Sequence, residues 1–257
     1  MKRDVWAVIA TGGSALLPGV VLVAAAADQP PGSQPVTPEA SRGSAEDLDA
    51  RLNTLDARIG AVHALRATFV QQKHTPLLKK PMESSGTVRV KGERTRWDTV
   101  EPSPSTMTTD ATELRIYFPE QRVVEVYDLA GDIRELSGSP LPKLAAIRAS
   151  FDLKLLKASE LGADDADRSL VAMELVPRVA TFEEHITSIR VLLDERIPAV
   201  RRIEVVDIDG ERTDISFHDI ETNPTIEDHE VALEVPAGVR TVHPLSPGKD
   251  RAEDPRK

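Results

Sequence analysis

The sequence predicts a mainly β protein of the α+β type, built on one curved antiparallel sheet that does not close into a complete barrel. Between residues 65 and 235, apolar and polar residues alternate in many short segments, as in strands with one buried face. Helical spacing of apolar residues is confined to two or three segments. We expect about ten or eleven strands, too many for a flat sheet, so the sheet curls around a concave face that the helices cover.

The N-terminus has the pattern of a secretory signal peptide. Lys2 and Arg3 precede an uncharged stretch that ends in four consecutive alanines, the last of which is Ala27, and small residues of this kind suit signal peptidase. We interpret residues 1–27 as a signal peptide that is cleaved after Ala27. An uncleaved membrane anchor is the alternative, which the glycines and Pro18 of the stretch disfavour as a spanning helix.

Composition limits the compartment and the partners. The chain contains no cysteine, so it has neither a lipid-modified cysteine anchor nor disulfides. Its formal net charge of −10 opposes binding to nucleic acid and to anionic bilayers. We therefore expect a soluble, monomeric protein of the periplasm in a Gram-negative type of envelope, with no nucleic-acid partner, no cofactor and no metal.

Flexible segments flank one folded unit. Residues 28–45 are rich in Pro, Ser, Gly and Ala and predict a flexible linker, and residues 246–257 predict a flexible tail. Residues 46–245 then form a single domain. It opens with an amphipathic helix capped by Ser44, whose apolar residues recur at helical spacing: Leu48, Leu52, Leu55, Ile59 and Val62.

Strands make up most of the remaining domain. Alternation predicts them at about residues 65–72, 85–91, 94–99, 105–110, 112–118, 121–127, 169–176, 184–193, 199–208, 212–221 and 229–235. Asp209-Gly210 marks a hairpin turn, and Pro236 to Val239 closes the last strand. Between the two groups of strands, residues 143–148 predict a short helix. Residues 151–161 predict a second helix, with a strand as the alternative.

Several short motifs follow one another in an order that resembles a known family. They are Leu65-x-Ala67-Thr68-Phe69-x-Gln71, Gly86 to Lys91, Arg96-Trp97 through Glu101-Pro102, Asp110 to Tyr117, Val123 to Tyr127, Asp209-Gly210-x-x-Thr213 with Ile215-x-Phe217, and Val235-Pro236-x-Gly238-Val239. Together with the preceding helix, this succession resembles the periplasmic outer-membrane lipoprotein carrier family, LolA. The resemblance covers roughly residues 46–242.

The resemblance implies both a fold and a function. The fold is an incomplete β-barrel whose mouth is plugged by a helical lid. The function is that of a carrier, which shields the acyl chains of lipoproteins or lipids between an inner-membrane releasing complex and an outer-membrane receptor. Independently of the resemblance, each methylene of an acyl chain costs about 0.8 kcal/mol in water. A soluble carrier therefore needs a comparable apolar surface.

One departure from the family pattern concerns the latch of the lid. In the family, the arginine of an Arg-Pro turn hydrogen-bonds carbonyl groups of the lid, whereas this turn reads Lys91-Gly92-Glu93-Arg94. Lys91 and Arg94 are both candidates for a lid latch. A second departure is Asp110-Ala111, where the family has Asp-Gly.

The candidate ligand-binding residues are large apolar side chains of the strands and of the helical segment. Those of the cavity wall are Val88, Val90, Trp97, Leu114, Ile116, Phe118, Val124 and Val126, and those of the lid are Leu144, Ile147 and Phe151. Packing in a closed core is the alternative for each of them. A register shift of one residue turns the whole set of a strand to the opposite face, so the predicted lining depends on the register.

The sequence contains no familiar catalytic signature. There is no Gly-x-Ser-x-Gly elbow, no glycine-rich phosphate loop, no His-x-x-x-His pair and no cysteine nucleophile. We expect no catalytic residues and no enzymatic activity. The alternative functions are a periplasmic module that senses lipids or lipoproteins, a carrier of glycolipid or phospholipid, and a secreted hydrolase with an unusual site. The acidic residues 164–167 predict a solvated turn, with a calcium loop as the alternative.

Overall fold

The computed structural model describes residues 39–129 and 139–244. In these ranges the chain forms one sheet of 12 strands, with three α-helices and two 3-10 helices. The predicted fold class, a mainly β structure built on one open sheet with a helical cover, is confirmed. The predicted signal peptide, residues 1–27, and the predicted tail, residues 246–257, lie outside the described residues.

The helices and strands have the following bounds. In chain order they are α1 (Glu39–Gly60), β1 (Ala64–His74), β2 (Met82–Lys91), β3 (Arg94–Glu101), β4 (Ser105–Thr109), β5 (Glu113–Phe118), β6 (Val123–Asp128), α2 (Leu144–Ser150), β7 (Phe151–Leu156), a 3-10 helix (Ala158–Leu161), β8 (Leu170–Pro177), α3 (Ala180–Glu183), β9 (Ile186–Asp194), β10 (Ala199–Asp207), β11 (Arg212–Thr222), a second 3-10 helix (Asp228–Val231) and β12 (Arg240–Val242).

The sheet consists of two meanders joined in its middle. Its strand order is β12-β6-β5-β4-β3-β2-β1-β11-β10-β9-β8-β7. β1 pairs with β2 on one side and with β11 on the other, both antiparallel, and so connects the first half of the chain to the second. β12 lies parallel to β6, in contrast to the antiparallel pairs of the rest of the described sheet. The two edges are therefore β12 and β7.

The inner face of the sheet is the face that carries Phe69, Trp97 and Phe217. Side chains on this face of β1 to β11 form one buried cluster with α1 and α2. The rings of Trp97 and Phe217 lie 5.6 Å apart, although three strand steps separate β3 from β11. In a flat sheet these strands would lie roughly 14 Å apart. The sheet therefore curls toward its inner face, and the opposite face is its outer face.

Helix α1 begins earlier than predicted. It starts at Glu39, before the predicted cap Ser44, and thus overlaps the end of the segment predicted to be a flexible linker. Glutamate and alanine are good helix formers, and an acidic residue suits the positive end of the helix dipole. The prediction of a linker from average composition missed this local preference. The predicted buried positions Leu52, Leu55 and Ile59 are confirmed.

Two other segments differ from the first prediction. Residues 151–156 form β7 rather than a helix, because Phe151, Leu153 and Leu155 alternate with polar residues and pair with β8. Residues 229–235, predicted as a strand, instead begin with the 3-10 helix Asp228–Val231. There Glu227 and Glu230 form a capping box, which favours a helical turn over extended backbone. The turn at Pro236 to Val239 then leads into β12.

Gly86 allows the aromatic side chains of the inner face to meet. It lies opposite Phe69 on β1 and Thr99 on β3. A Cβ atom at Gly86 would lie 1.9 Å from the backbone oxygen of Asp98 and 3.0 Å from Cε1 of Phe69. The contact with Asp98 is to backbone, which cannot rotate away, so β2 and β3 approach this closely only with glycine at position 86.

Replacing Gly86 by alanine is expected to lower the free energy of unfolding by about 2–3 kcal/mol, because β2 and β3 must separate to accept the methyl group. Chemical denaturation followed by circular dichroism measures the change. Gly60→Ala is the matched control, because a Cβ there meets nothing within 4 Å. Equal stability of the two variants would contradict the close approach at Gly86.

Candidate functional site

The inner face brings most of the predicted cavity residues together. Trp97 lies directly opposite Val88 on β2 and Met107 on β4, and Met107 lies opposite Ile116 on β5. Directly opposite residues share one face of a sheet, so a row of apolar side chains crosses β2 to β5. The buried cluster contains nine of the predicted residues: Val88, Val90, Trp97, Leu114, Ile116, Phe118, Leu144, Ile147 and Phe151.

Val124 and Val126 lie on the outer face, so their prediction as cavity residues was wrong. They are directly opposite Tyr117 and Arg115, which alternate along β5 with the inward residues Leu114, Ile116 and Phe118. β6 instead turns Tyr127 inward, opposite Leu114. Four of the five residues from Val123 to Tyr127 are buried, so apolar residues do not alternate with polar ones along this strand. The predicted set in β6 was therefore one residue out of register.

Three aromatic rings form the centre of the inner face. The ring of Phe69 lies 4.9 Å from that of Trp97 and nearly edge-on to it, at 61°. Trp97 makes a similar contact with Phe217, at 63°. Trp97 was predicted to line the cavity, whereas Phe69 and Phe217 were not assigned to it. Phe217 lies between Ser216 and His218, and this alternation is the signal that could have identified it. The signal is weaker for Phe69, which is followed by Val70.

Helices α1 and α2 cover the inner face. Leu144 and Ile147 of α2 and Leu52 of α1 are each at most 5% exposed and belong to the same cluster as the sheet residues. The two helices also contact each other, because the Nη1 atom of Arg148 donates a hydrogen bond to Oδ1 of Asn53 at 2.8 Å. They therefore form a joint cover, and edge strand β7 follows α2 directly without a loop.

The polar attachment of α1 to the sheet lies at the solvent-exposed surface. Arg51 forms an ion pair with Glu195 at 3.0 Å, and their side chains are 34% and 28% exposed. Arg51 and Arg58 also donate hydrogen bonds to backbone oxygens of residues 168 and 196. A cleft of about 320 Å³ lies along this contact and is lined by Ala50, Arg51, Thr54, Leu55, Arg58 and Glu195. Exposed ion pairs of this kind contribute about 0–1 kcal/mol.

Arg178 holds the C-terminal end of α2. Its Nη2 atom donates hydrogen bonds to the backbone oxygens of Arg148, at 2.5 Å, and Ala149, at 3.2 Å. The backbone N–H of Arg178 donates to the oxygen of Ser150 at 2.9 Å. A cation at this position satisfies the free carbonyl groups of a helix end. Arg178 could not be predicted from the sequence, because no local pattern joins residues 30 positions apart.

Lys91 and Arg94 were predicted as a lid latch, but they bind a different segment. Their nitrogen atoms lie 2.7 and 2.8 Å from Oδ1 of Asp228. Asp228 belongs to residues 223–239, the connection between β11 and β12, which we call the strap. Lys91 and Arg94 are directly opposite each other on the outer face, so their side chains point away from the lid. The prediction was therefore wrong about what these cations hold.

A second carboxylate also fixes the strap to the outer face. Glu230 lies 3.1 Å from Nη2 of Arg66 and 3.7 Å from Nε of Arg89. Val231 is buried beside Ala64 and Ile226 in a small apolar cluster of its own. The strap is thus held by charges at its surface and by an apolar contact beneath them. Hydrogen bonds also hold it, among them one from Nη1 of Arg96 to the backbone oxygen of Ala232 at 2.5 Å.

The acidic residues 164–167 form a turn. Asp165 accepts hydrogen bonds from the backbone N–H and the hydroxyl of Ser159, both at 2.8 Å. Asp167 accepts from the hydroxyl of Ser169 and from Arg196, at 2.6 Å each. The carboxylates thus bind separate partners and do not converge. Over residues 39–129 and 139–244, no group of three or more His, Cys, Asp or Glu side chains is placed to share a metal ion.

Comparison with known proteins identifies the family. The family model of the outer membrane lipoprotein carrier protein LolA matches residues 60–231. The chain belongs to the LolA family. It is 26% identical over 181 residues to an outer-membrane lipoprotein carrier protein of Dechloromonas aromatica, an alignment that covers 69% of this chain and 80% of the relative.

Solved structures with a similar fold include three proteins of low identity. A chain of the MucA/MucB complex of Pseudomonas aeruginosa is 16% identical, with a TM-score of 0.43 over 73% of this chain and 61% of that chain, less than two thirds of its length. A LolA superfamily protein of Nitrosomonas europaea is 11% identical, with a TM-score of 0.41 over 72% and 97%. The lipoprotein LppX of Mycobacterium tuberculosis is 8% identical, with a TM-score of 0.41 over 71% and 98%.

None of the helices within the described residues has the length and apolar character needed to cross a bilayer.

The Asp228→Asn substitution is expected to loosen the strap and to speed hydrogen exchange at residues 223–239 several-fold. Hydrogen bonds from Lys91, and then from Arg94, lower the pKa of Asp228. The contact therefore stabilises the strap above the usual pKa of aspartate, and this stabilisation is lost as pH falls through the lowered value. Mass spectrometry of exchanged peptides at neutral and acidic pH measures both effects.

Glu234→Gln is the control for this experiment, since Glu234 is an exposed acid of the same strap. Its exchange rates should match those of the unmodified protein. If Asp228→Asn also left the strap unchanged, the ion pairs with Lys91 and Arg94 would have no role in holding it.

Proposed function

We propose that this protein is a periplasmic carrier that shields the acyl chains of lipoproteins and moves them from the inner to the outer membrane. In this proposal residues 1–27 are the export signal and residues 46–245 are the carrier domain. Its partners are an inner-membrane releasing complex and an outer-membrane receptor. The main support is one continuous apolar area of the inner face, covered by helices whose polar attachments lie at the surface.

The inner face offers what an acyl chain needs. Each methylene group removed from water contributes about 0.8 kcal/mol, so transport through an aqueous compartment requires a long apolar surface. Apolar side chains line the inner face from β2 to β5 and again from β8 to β11. Polar and charged residues alternate with them on the outer face, which keeps the loaded protein in solution.

Cargo binding replaces helix contacts by cargo contacts. In this structure the interior is filled, because Leu52, Leu55, Leu144 and Ile147 occupy it from the side of the helices. When α1 and α2 move outward, acyl chains take the place of these side chains against the same wall. Apolar contacts are exchanged for apolar contacts, so opening costs little once cargo is present.

The exposed polar contacts of α1 fit this movement. The ion pair between Arg51 and Glu195 is partly solvent-exposed on both sides, and water replaces such a contact at small cost. Arg178 keeps the end of α2 joined to β8. We infer that α1 and the start of α2 swing away while the junction of α2 with β7 acts as the hinge.

A crosslink between positions 51 and 195 is expected to abolish cargo uptake. The double variant Arg51→Cys/Glu195→Cys, treated with a short bifunctional thiol reagent, fixes α1 to the turn that follows β9. Binding of a diacylated lipopeptide should fall to background, because the inner face stays covered. Co-purification measures uptake, and transfer of labelled lipopeptide from donor to acceptor vesicles measures the carrier activity.

The absence of native cysteines makes this reaction specific. The control is Glu174→Cys/Arg190→Cys, which joins directly opposite positions on the outer face of β8 and β9 and should leave uptake intact. Full uptake by the crosslinked 51–195 protein would rule out entry by movement of α1. Absence of uptake and transfer by the unmodified protein would rule out the carrier function.

A further inference from the structure

One end of the inner face is polar, in contrast to the rest. It lies where β1 meets β2 and where β3 meets β4 at their hairpin turns. Here five neighbouring strands turn polar side chains inward. Each of these polar residues lies two positions along its strand from another residue of the inner face, so it points to the same side of the sheet. We call this set the polar band: Thr213 of β11, Gln71 of β1, Ser84 of β2, Thr99 of β3 and Ser105 of β4.

The polar band is buried without internal partners. Gln71 is 5% exposed, and the four hydroxyl residues are between 4% and 8% exposed. Within the described parts of the chain, none of these five side chains forms a hydrogen bond. Their polar atoms are not fully enclosed, because the enclosed side-chain atoms without a partner in the described residues are Nε of Arg89, Arg148 and Arg202. The unpaired groups of the band can therefore be reached by a group that enters from outside.

The opposite end of the same strands shows the normal arrangement. Thr95 of β3 and Thr109 of β4 also point inward and are equally buried, but their hydroxyl groups hydrogen-bond each other. Residue type, face and burial are thus the same at both ends of β3 and β4, and only the hydrogen bonding differs. The polar groups of the band have no partner within the described protein and are therefore available to an external group.

The chemistry of the polar band selects a neutral ligand with acceptor groups. The hydroxyl groups and the amide of Gln71 can donate as well as accept hydrogen bonds, and they carry no charge. The nearest inward cation, Lys73, is already paired with Glu211 at 2.6 Å. A free carboxylate or phosphate would therefore find no counter-charge in the band. Carbonyl oxygens of esters and amides match its donors.

The dimensions of the inner face also fit such a ligand. From Gln71 at the polar band to Leu65 at the far end, β1 spans six residues, or roughly 20 Å of extended chain. An acyl chain occupies one leaflet of a bilayer core, which is about 15 Å thick. A chain anchored by its carbonyl group at the polar band therefore ends beneath α1 and α2.

We propose that the polar band binds the acyl carbonyl groups at the head of a diacylglyceryl ligand, while the hydrocarbon chains lie along the apolar rows toward the helices. This inference rests on the carrier function proposed above and gives the orientation of its cargo. The same ester chemistry occurs in a diacylglycerol lipid and in the modified N-terminus of a lipoprotein. The polar band recognises the shared carbonyl groups in both.

The double variant Gln71→Met/Thr99→Val tests this inference, because it replaces two band residues by apolar ones of similar size. Without ligand, the variant should melt at about the same temperature as the unmodified protein, since neither side chain has a hydrogen bond within the protein to lose. The ligands are a dipalmitoyl lipopeptide, dipalmitoylglycerol and its dialkyl ether analogue, which lacks the carbonyl groups. The unmodified protein should prefer ester to ether about tenfold, and the variant should lose this preference.

Thr95→Val is the control on the same face, because its hydroxyl group has a partner. It should melt at a lower temperature and keep the ester preference. The proposed role of the polar band fails if the double variant is destabilised as much as Thr95→Val. It also fails if the unmodified protein binds ester and ether equally, and in both cases the carrier function remains possible. If none of the three ligands binds the unmodified protein, the carrier function fails with it. Preference of the unmodified protein for the ester over the ether supports the proposed role of the polar band. Binding of the lipopeptide, the glycerolipid or both shows which class of molecule supplies the acyl chains.

Discussion

The pairing of β1 with β11 is the contact on which the rest of the structure depends. β1 is hydrogen-bonded on both sides, to β2 and to β11, and so makes one sheet from two meanders that are distant in sequence. Across this seam the rings of Phe69, Trp97 and Phe217 converge. Their packing draws the two halves toward each other on one side, and the resulting curvature produces the interior that α1 and α2 cover.

The strict difference between the two faces maintains this arrangement. On the outer face, Arg190 bridges Glu174 and Glu204 at 3.2 Å each, and Asp214 on β11 contacts both Arg202 and Arg212 at 3.2 Å. A shift of one residue in any of these strands would turn charged side chains toward the aromatic centre, where they would lack water and partners. The ion pairs thus specify the register more than they add stability.

The sequence predicts the elements that depend on local pattern and misses those that depend on distant contacts. Alternation at Val88 and Val90, or at Leu114 and Ile116, predicts strands and their shared face, since period two is a local property. In β6 both faces are buried, so the same reasoning assigned Val124 and Val126 to the inner face. The partner of Lys91 and Arg94 lies more than 130 positions away, and no spacing rule relates them. The polar band is equally invisible, because its hydroxyl residues resemble ordinary strand residues until the register is known.

The open sheet has two edges, and each is protected in a different way. The three residues of β12 cover the edge of β6, although they add little to the core. On β7, the charged side chains of Asp152 and Lys154 stand among apolar neighbours. Charges on an edge strand oppose pairing with a strand of another molecule. In the proposed carrier cycle the interior is exposed each time the helices open, and charged or covered edges oppose the joining of such transient states into fibres.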